Sequence, residues 1–361
     1  MSGTDPSRVD AVVLVGGKGT RLRPLTLSAP KPMLPTAGLP FLTHLLSRIA
    51  AAGVEHVILS TSYQAATFEA EFGDGSKLGL QIEYVTETDP LGTGGGIANV
   101  APRLRNDTVM VFNGDVLSGA DLTQMLAAHH DTAAELTLHL VRVSDPRAFG
   151  CVPTDDTGRV LAFLEKTEDP PTDQINAGTY IFNRSIIDRI PRGRAVSVER
   201  EVFPALLSDG VKVCGFVDSS YWRDMGTPED FVRGSSDLVR GLAPSPALGG
   251  QRGESLVHDG ASVAPGAVLI GGTVVGRGAE IGPGVRLDGA VIFDGARIDA
   301  GSVVERSIIG FGAHIGPRAL IRDGVIGDGA NIGARCELLR GARVWPGVAI
   351  PDCGIRYSSD I

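Results

Sequence analysis

The segment Leu14-Val-Gly-Gly-Lys-Gly-Thr-Arg-Leu-Arg-Pro-Leu-Thr26 gathers glycines, hydroxyls and cations where backbone N–H groups can converge on an anion. The chain has only five lysines, and Lys18 and Lys31 both lie in or just after this segment, beside Arg21 and Arg23. Phosphate binding is the chemistry these residues suit. The spacing is not the dinucleotide fingerprint, because Gly17-Lys-Gly19 is followed by Thr-Arg-Leu22 where a third Gly or Ala should stand. Nor is it a P-loop, since Lys18 precedes Gly19 rather than Ser or Thr.

The elements that must position this loop are legible around it. The chain has 361 residues, 43% hydrophobic and 21% charged, enough for two domains. Its net charge of −9 argues against a nucleic-acid coat or an anionic-membrane binder, so an anionic ligand must meet a local positive patch. The first apolar run, Ala11 to Val15, is too short for a signal-peptide core or a spanning helix, and a cytoplasmic protein is expected. Cys151, Cys214, Cys336 and Cys353 are far apart, with no C-x-x-C pair, and read as small buried hydrophobes in a reducing compartment.

Up to about Gly241, short apolar runs alternate with helical stretches, the pattern of a layered α/β domain. Strands are expected over Val9–Val15, Val54–Ser60, Leu80–Val85, Thr108–Phe112, Glu135–Val143, Val160–Leu164, Ile175–Phe182 and Lys212–Val217. Pro40–Ala52 carries Phe41, Leu45, Leu46 and Ile49 at helical spacing, and Asp121-Leu-Thr-Gln124 and Thr227-Pro-Glu-Asp230 resemble capping boxes.

Beyond Gly241 the texture changes. The residues from Gly249 onward hold 24 of the 48 glycines and no lysine. One aliphatic anchor recurs from Val257 through Val263, Leu269 and Val275 to Val344 and Ile350, with thirteen of the sixteen intervals six residues long and the other three five. A hexapeptide period is the pattern of a parallel β-helix, in which each anchor points into a narrow prism and small residues turn the corners. About five coils are expected, at three hexapeptides per coil. The expected fold class is therefore α/β: a Rossmann-like, mostly parallel sheet with helices on both faces, followed by a left-handed parallel β-helix. The expected boundaries are 1–240 for a catalytic domain, 241–255 for a linker and 256–361 for the β-helix.

Gly16-Gly-Lys-Gly-Thr-Arg-Leu-Arg-Pro-Leu-Thr26 together with Pro30-Lys-Pro-Met-Leu-Pro35 resembles the opening motif of the sugar-1-phosphate nucleotidyltransferases, specifically the GDP-mannose pyrophosphorylases (mannose-1-phosphate guanylyltransferases). Similar to that family are also Pro90-Leu-Gly-Thr-Gly-Gly95, Phe112-Asn-Gly-Asp-Val116, Phe163-Leu-Glu-Lys-Thr167, Ile175-Asn-Ala-Gly178, Ser197-Val-Glu-Arg-Glu-Val-Phe-Pro204 and Tyr221-Trp-Arg-Asp-Met-Gly-Thr-Pro228. The resemblance covers nearly the full chain, with Thr167 standing where many relatives have proline.

It implies synthesis of GDP-mannose and pyrophosphate from GTP and mannose 1-phosphate, by attack of a sugar-phosphate oxygen on the α-phosphorus. Positioning and charge neutralisation dominate such chemistry, because the nucleophile is already ionised. Asp115 and Asp224 would hold Mg²⁺, two carboxylates suiting a hard cation that keeps waters and shares phosphate oxygens. Arg21 and Lys31 would contact the triphosphate, and Lys166 would bridge the sugar phosphate and α-phosphate. Val15, Gly16, Gly17, Gly19 and Thr20 would line the nucleotide, Gly92, Thr93 and Gly94 would let backbone approach the base, and Asn113 would reach the ribose. Glu165, Asn176, Gly150 and Gly178 would complete the sugar pocket with Lys166.

Three alternatives belong beside this expectation. The same chemistry on glucose 1-phosphate would make a uridylyl-, thymidylyl- or adenylyltransferase. A non-catalytic regulatory subunit should have lost Arg21, Lys31, Asp115 or Asp224, and all four are present. A β-helix acyltransferase would need His258 or His314 as base, and would usually carry an inserted loop that these coils lack. His44, His56, His129, His130 and His139 read as surface or satisfied core residues. The flat faces and open ends of a β-helix favour a homo-oligomer, with neither nucleic acid nor membrane as partner.

Overall fold

A computed structural model describes residues 5–62, 64–250 and 252–356. The chain forms two compact units. The first comprises the described residues of Met1–Gly17 and Leu45–Trp222; the second comprises Lys18–His44 and the described residues of Arg223–Ile361.

In the first unit, β1 (Val9–Leu14), β2 (His56–Thr61), β3 (Gln81–Thr86) and β4 (Thr108–Asn113) form a parallel run in the order β4-β1-β2-β3. The middle strands read as near-continuous apolar runs because both faces are covered: Val9, Ala11, Val12 and Val13 are all fully buried. Two further strands, β5 (Leu136–Arg142) and β6 (Gln174–Asn183), continue the sheet. β6 joins it antiparallel to β4 and β5, and β7 (Val213–Asp218) lies parallel to β5. Since β6 runs opposite to β4, its first residues lie at the edge where β1 and β4 end. The core beneath gathers Val12, Ile58, Val111, Leu138, Tyr180, Phe182 and Phe203.

One expected strand fails. Val160–Leu164 appears only as a bridge from Val160 to Thr154 and a two-residue strand, Leu164–Glu165, antiparallel to Gly150–Cys151. Opposite it stands Pro153, which has no N–H to donate to a ladder, and Leu161 is 60% exposed. Both helix caps form. Asp121 accepts from the N–H groups of Thr123 and Gln124, and Thr227 accepts from Asp230 N–H at 3.1 Å, heading the helix Pro228–Val239.

The second unit contains the parallel β-helix. Three parallel sheets, of six, six and five short strands, stack successive coils, and each anchor from Val257 to Ile350 falls within one of these strands. Register partners are 17 or 18 residues apart, as Ile308 with Val325 and Val325 with Arg343 show. The five-residue intervals make the 17-residue coils. The anchors from Val275 to Val344 are buried, with Ala279, Ala290, Ala296, Ala313 and Ala330 filling the corners. The first coil is the exception: Val257 is 43% and Val263 39% exposed.

Cys151, Cys214 and Cys336 are buried and free, but Cys353 is only half-buried, so the expectation of four buried thiols holds for three. Among the described residues, no helix is long and apolar enough to cross a membrane.

Candidate active site

In the second unit, the cationic segment folds into three short 3-10 turns, Thr20–Leu22, Leu25–Leu27 and Lys31–Met33. Gly19 sits at φ +55° and starts the first turn; a Cβ there would come within 2.9 Å of Thr26 Cγ2. Thr26 Oγ1 donates to the Gly19 carbonyl at 2.8 Å, which closes the loop on itself. Lys31 is only 8% exposed, and its Nζ lies 3.8 Å from Asp224 Oδ1. Arg21 Nη2 lies 3.8 Å from Asp224 Oδ2, on a side chain that is 64% exposed. Gly226 leaves the room for this guanidinium, since a Cβ there would stand 2.6 Å from Nη2. Arg21, Lys31 and Asp224 are thus brought together, with Gly19 in the turn beneath and Thr20 exposed beside Arg21. Asp224 closes a short strand, Trp222–Asp224, separate from β7, which ends at Asp218.

In the first unit, Val15, Gly16 and Gly17 leave the carboxyl end of β1, with Gly16 and Gly17 exposed. Gly114 follows β4 and donates its N–H to the Leu14 carbonyl at 2.9 Å; a Cβ on it would be 2.6 Å from that oxygen. This contact fixes Asp115, half-buried, beside the residues that follow β1. Asn113 lies over Gly178, which has φ +76° and whose hypothetical Cβ would meet Asn113 Nδ2 at 2.9 Å. Asn113 Oδ1 is buried without a hydrogen-bond partner. Asn176 donates to Tyr180 Oη at 2.8 Å and accepts from Gly178 N–H at 3.1 Å, so it holds the bulge that breaks the β5–β6 register.

Glu165 pairs with Gly150 across the two-residue strands, and a Cβ on Gly150 would stand 3.0 Å from Glu165 Oε2. Burial pushes the Glu165 carboxyl up, with Lys166 opposing and the carboxylate of Glu199 adding to the rise. Lys166, at φ +52°, is 61% exposed with Nζ 3.9 Å from Glu165 Oε1.

Gly92, Thr93 and Gly94 open the helix Gly92–Val100. A Cβ on Gly92 would stand 2.7 Å from the Val196 carbonyl oxygen, and one on Gly94 2.9 Å from Val196 Cγ1. Gly94 N–H already donates to that carbonyl at 2.8 Å. These glycines make room for the irregular segment around Val196. Thr93 Oγ1 donates to Glu199 and accepts from Val198 N–H.

Two residues carried no role in the sequence reading and belong here. Glu199 links Thr93 and Ser197, each at 2.8 Å, and acts electrostatically on Glu165. Trp222 packs edge-on to Phe149, the residue before Gly150, and donates Nε1–H to the Ala177 carbonyl at 3.0 Å. Both lie inside motifs that sequence inspection isolates; only their partners were missing. The two histidines weighed as acyl-transfer bases are committed to structure. His258 Nε2 bonds the Ala37 carbonyl at 3.1 Å, and His314 bonds Asp299 and Asn331.

Residues 10–241 match the family described as nucleotidyl transferase, and residues 251–356 match the GMPPB C-terminal domain. The chain is 82% identical, over 98% of its length and 99% of the relative's, to a mannose-1-phosphate guanylyltransferase of Mycobacterium tuberculosis. It is 35% identical to a mannose-1-phosphate guanylyltransferase catalytic subunit beta of Drosophila pseudoobscura pseudoobscura, over 77% of this chain and 71% of that one. Among solved structures, HddC from Yersinia pseudotuberculosis complexed with GMP-PN aligns with a TM-score of 0.56 and 31% identity, covering 63% of this chain and 99% of that one. The chain belongs to the nucleotidyl transferase family and, within it, to the mannose-1-phosphate guanylyltransferases.

Proposed function

We propose that the protein joins GTP and mannose 1-phosphate into GDP-mannose and pyrophosphate. A sugar-phosphate oxygen forms a new bond to the α-phosphorus, and the bond to the β-phosphate bridging oxygen breaks, releasing pyrophosphate. The observation that carries this reading is Asp224 held between Arg21 and Lys31 at 3.8 Å each, in a chain whose net charge is −9. Buried Lys31 gives a fixed positive charge, and exposed Arg21 can swing onto two phosphate oxygens at once.

Lys166 contacts the reacting phosphates in this reading, its exposed Nζ free to reach outward from Glu165. Glu165, Asn176 and the backbone at Gly150 and Gly178 hold the sugar. Asn113, Val15, Gly16, Gly17, Gly19 and Thr20 serve the nucleotide; Gly92, Thr93 and Gly94 let backbone approach the base, with Gly92 and Gly94 also making room for Val196. The donor chemistry of Asp115 and Asp224 fits Mg²⁺, which takes carboxylate oxygens. Among the described residues no group of three or more His, Cys, Asp or Glu side chains could hold a metal ion, so phosphate oxygens and water would complete the shell beside Asp115 and Asp224. When bound, Mg²⁺ supplies charge neutralisation on the phosphates.

The proposal assigns catalysis to residues 1–240, joined by 241–255 to the β-helix of 256–361. It includes a cytoplasmic location, supported by four free thiols, and self-association, supported by the exposed first-coil residues Val257 and Val263. Pyrophosphate release measured with GTP, UTP, dTTP and ATP against mannose and glucose 1-phosphates tests it. Turnover should be greatest with GTP and mannose 1-phosphate; preference for another pair would overturn the specificity, and no release with any pair would overturn the activity.

A further inference from the structure

The segment that carries Arg21 and Lys31 is fastened at several points to other parts of the second unit. At one end, Arg343 Nη1 donates to the Arg23 carbonyl at 2.8 Å, and Ser28 Oγ donates to the Asp328 carboxylate. At the other, Ala37 is gripped on both backbone groups. Its N–H donates to Ser235 Oγ at 2.9 Å and its carbonyl bonds His258 Nε2 at 3.1 Å.

Ala37 and Gly38 form a two-residue turn between Pro35–Thr36 and Leu39–Pro40, with φ +47° and +75°. Such a turn wants glycine or asparagine at both positions, and an alanine there persists only where its surroundings over-determine it. Gly38 is equally constrained, because a Cβ would stand 1.8 Å from His258 Nε2.

Apart from Ser235, which lies in the helix Pro228–Val239, the fastening points share one face of the prism. His258 follows Ser255–Val257, the first strand of a six-stranded sheet; Asp328 follows the fifth, Val325–Ile326; and Arg343 begins the sixth, Arg343–Val344. Strands in a sheet are about 4.8 Å apart, so His258 and Asp328 are separated by roughly 19 Å along the stack. The nine steps from Ser28 to Ala37 reach at most about 30 Å when extended, and the 3-10 turn Lys31–Met33 shortens that span. Lys31 therefore sits in a segment drawn between two anchors, and Arg21 two residues before a third.

We propose that Arg343, Asp328 and His258 are positioning residues: the β-helix acts as a jig that sets where Arg21 and Lys31 stand. This rests on the reading of those two cations as phosphate-binding groups. A displacement of about 1 Å in a charge-stabilising group can cost on the order of 100-fold in rate, so the fastening bears on the transfer step more than on substrate affinity.

The test is the double variant Ser28→Ala with Arg343→Ala in the full-length protein. Neither residue is assigned to phosphate or sugar. Amide hydrogen exchange over residues 20–34 should quicken at least ~10-fold by local opening of the 3-10 turns. The kcat for GTP and mannose 1-phosphate should fall roughly 10-fold with both KM values within about 2-fold, as for loss of an interaction made in the transition state. Arg343→Lys in the Ser28→Ala background should restore part of the rate, since it keeps a donor. Arg297→Ala, which removes an exposed ion pair to Asp299 on another sheet, serves as control and should change neither readout. Unchanged exchange in the double variant overturns the fastening, and quickened exchange with unchanged kcat overturns its role in positioning. Absence of turnover in the unaltered protein would instead overturn the reading of function, and exchange would still decide the fastening.

Discussion

Lys31 is almost fully buried, yet its ammonium stands 3.8 Å from the Asp224 carboxylate while Arg21 approaches the other oxygen of the same group at an equal distance. A buried lysine needs such a partner, because an unpaired charge removed from water costs several kcal/mol. The pairing gives the buried Lys31 side chain an opposite charge to face and fixes where it stands. Lys31→Met should lower kcat by about 100- to 1,000-fold, the loss typical of removing one charge-stabilising donor, while circular dichroism stays unchanged. A fall below 3-fold in steady-state turnover would remove Lys31 from the reaction.

Asp115 follows β4 and tests the metal assignment. Asp115→Asn keeps the size of the side chain and removes its charge, so Mg²⁺-dependent pyrophosphate release should be abolished with the melting temperature held. Unchanged turnover across a Mg²⁺ titration would contradict the assignment.

Gly178 tests the pocket beside Asn113. Gly178→Ala would place a Cβ at φ +76° and 2.9 Å from Asn113 Nδ2. The cost should be about 1–3 kcal/mol in denaturant unfolding, from backbone strain and crowding. The KM for mannose 1-phosphate should rise as well; a rise confined to GTP would reassign this corner.

His44 gives a pH signature. Burial holds its imidazole down to about 4 from an ordinary value of 6.5. The ring is neutral, with Nε2–H donating to the Thr36 carbonyl and Nδ1 accepting from Ser245. Between those values the unfolded chain binds a proton that the native state refuses, so stability is full above pH 6.5 and falls as pH drops toward 4. The loss reaches about 3 kcal/mol. Urea unfolding at several pH values should show this slope, and His44→Gln should flatten it.

Ile315 is a fully buried anchor in the middle of the stack. Ile315→Ala should destabilise the β-helix by about 2–5 kcal/mol, because neighbouring coils cannot collapse into the space. Thermal unfolding followed by circular dichroism measures it; a loss under 1 kcal/mol would mean that the anchor is not in a packed interior.

The β-helix was legible almost residue by residue, since one side chain in six must enter the prism and a strand of two or three residues has no other way to be buried. The central sheet was legible too, as buried parallel strands such as Val9–Leu14 cannot alternate with polar residues. Val160–Leu164 misled because its composition suits a strand while its partner, Pro153, does not. Within the site, residue types and motif spacing marked Arg21, Lys31, Asp115 and Asp224. That Gly92 and Gly94 also make room for Val196 did not show, because Val196 meets them from a distant part of the sequence. Nor could any local pattern reveal that Ser28 touches Asp328, 300 residues on.

Stacked repeats usually tolerate gain or loss of a whole unit, since each one touches only its neighbours. Here that freedom is restricted. One more coil between His258 and Asp328 would push the two about 4.8 Å further apart, and the chain from Ser28 to Ala37 would have to stretch or let go. The number of turns in this prism is thereby tied to the length of a loop encoded near the other end of the polypeptide.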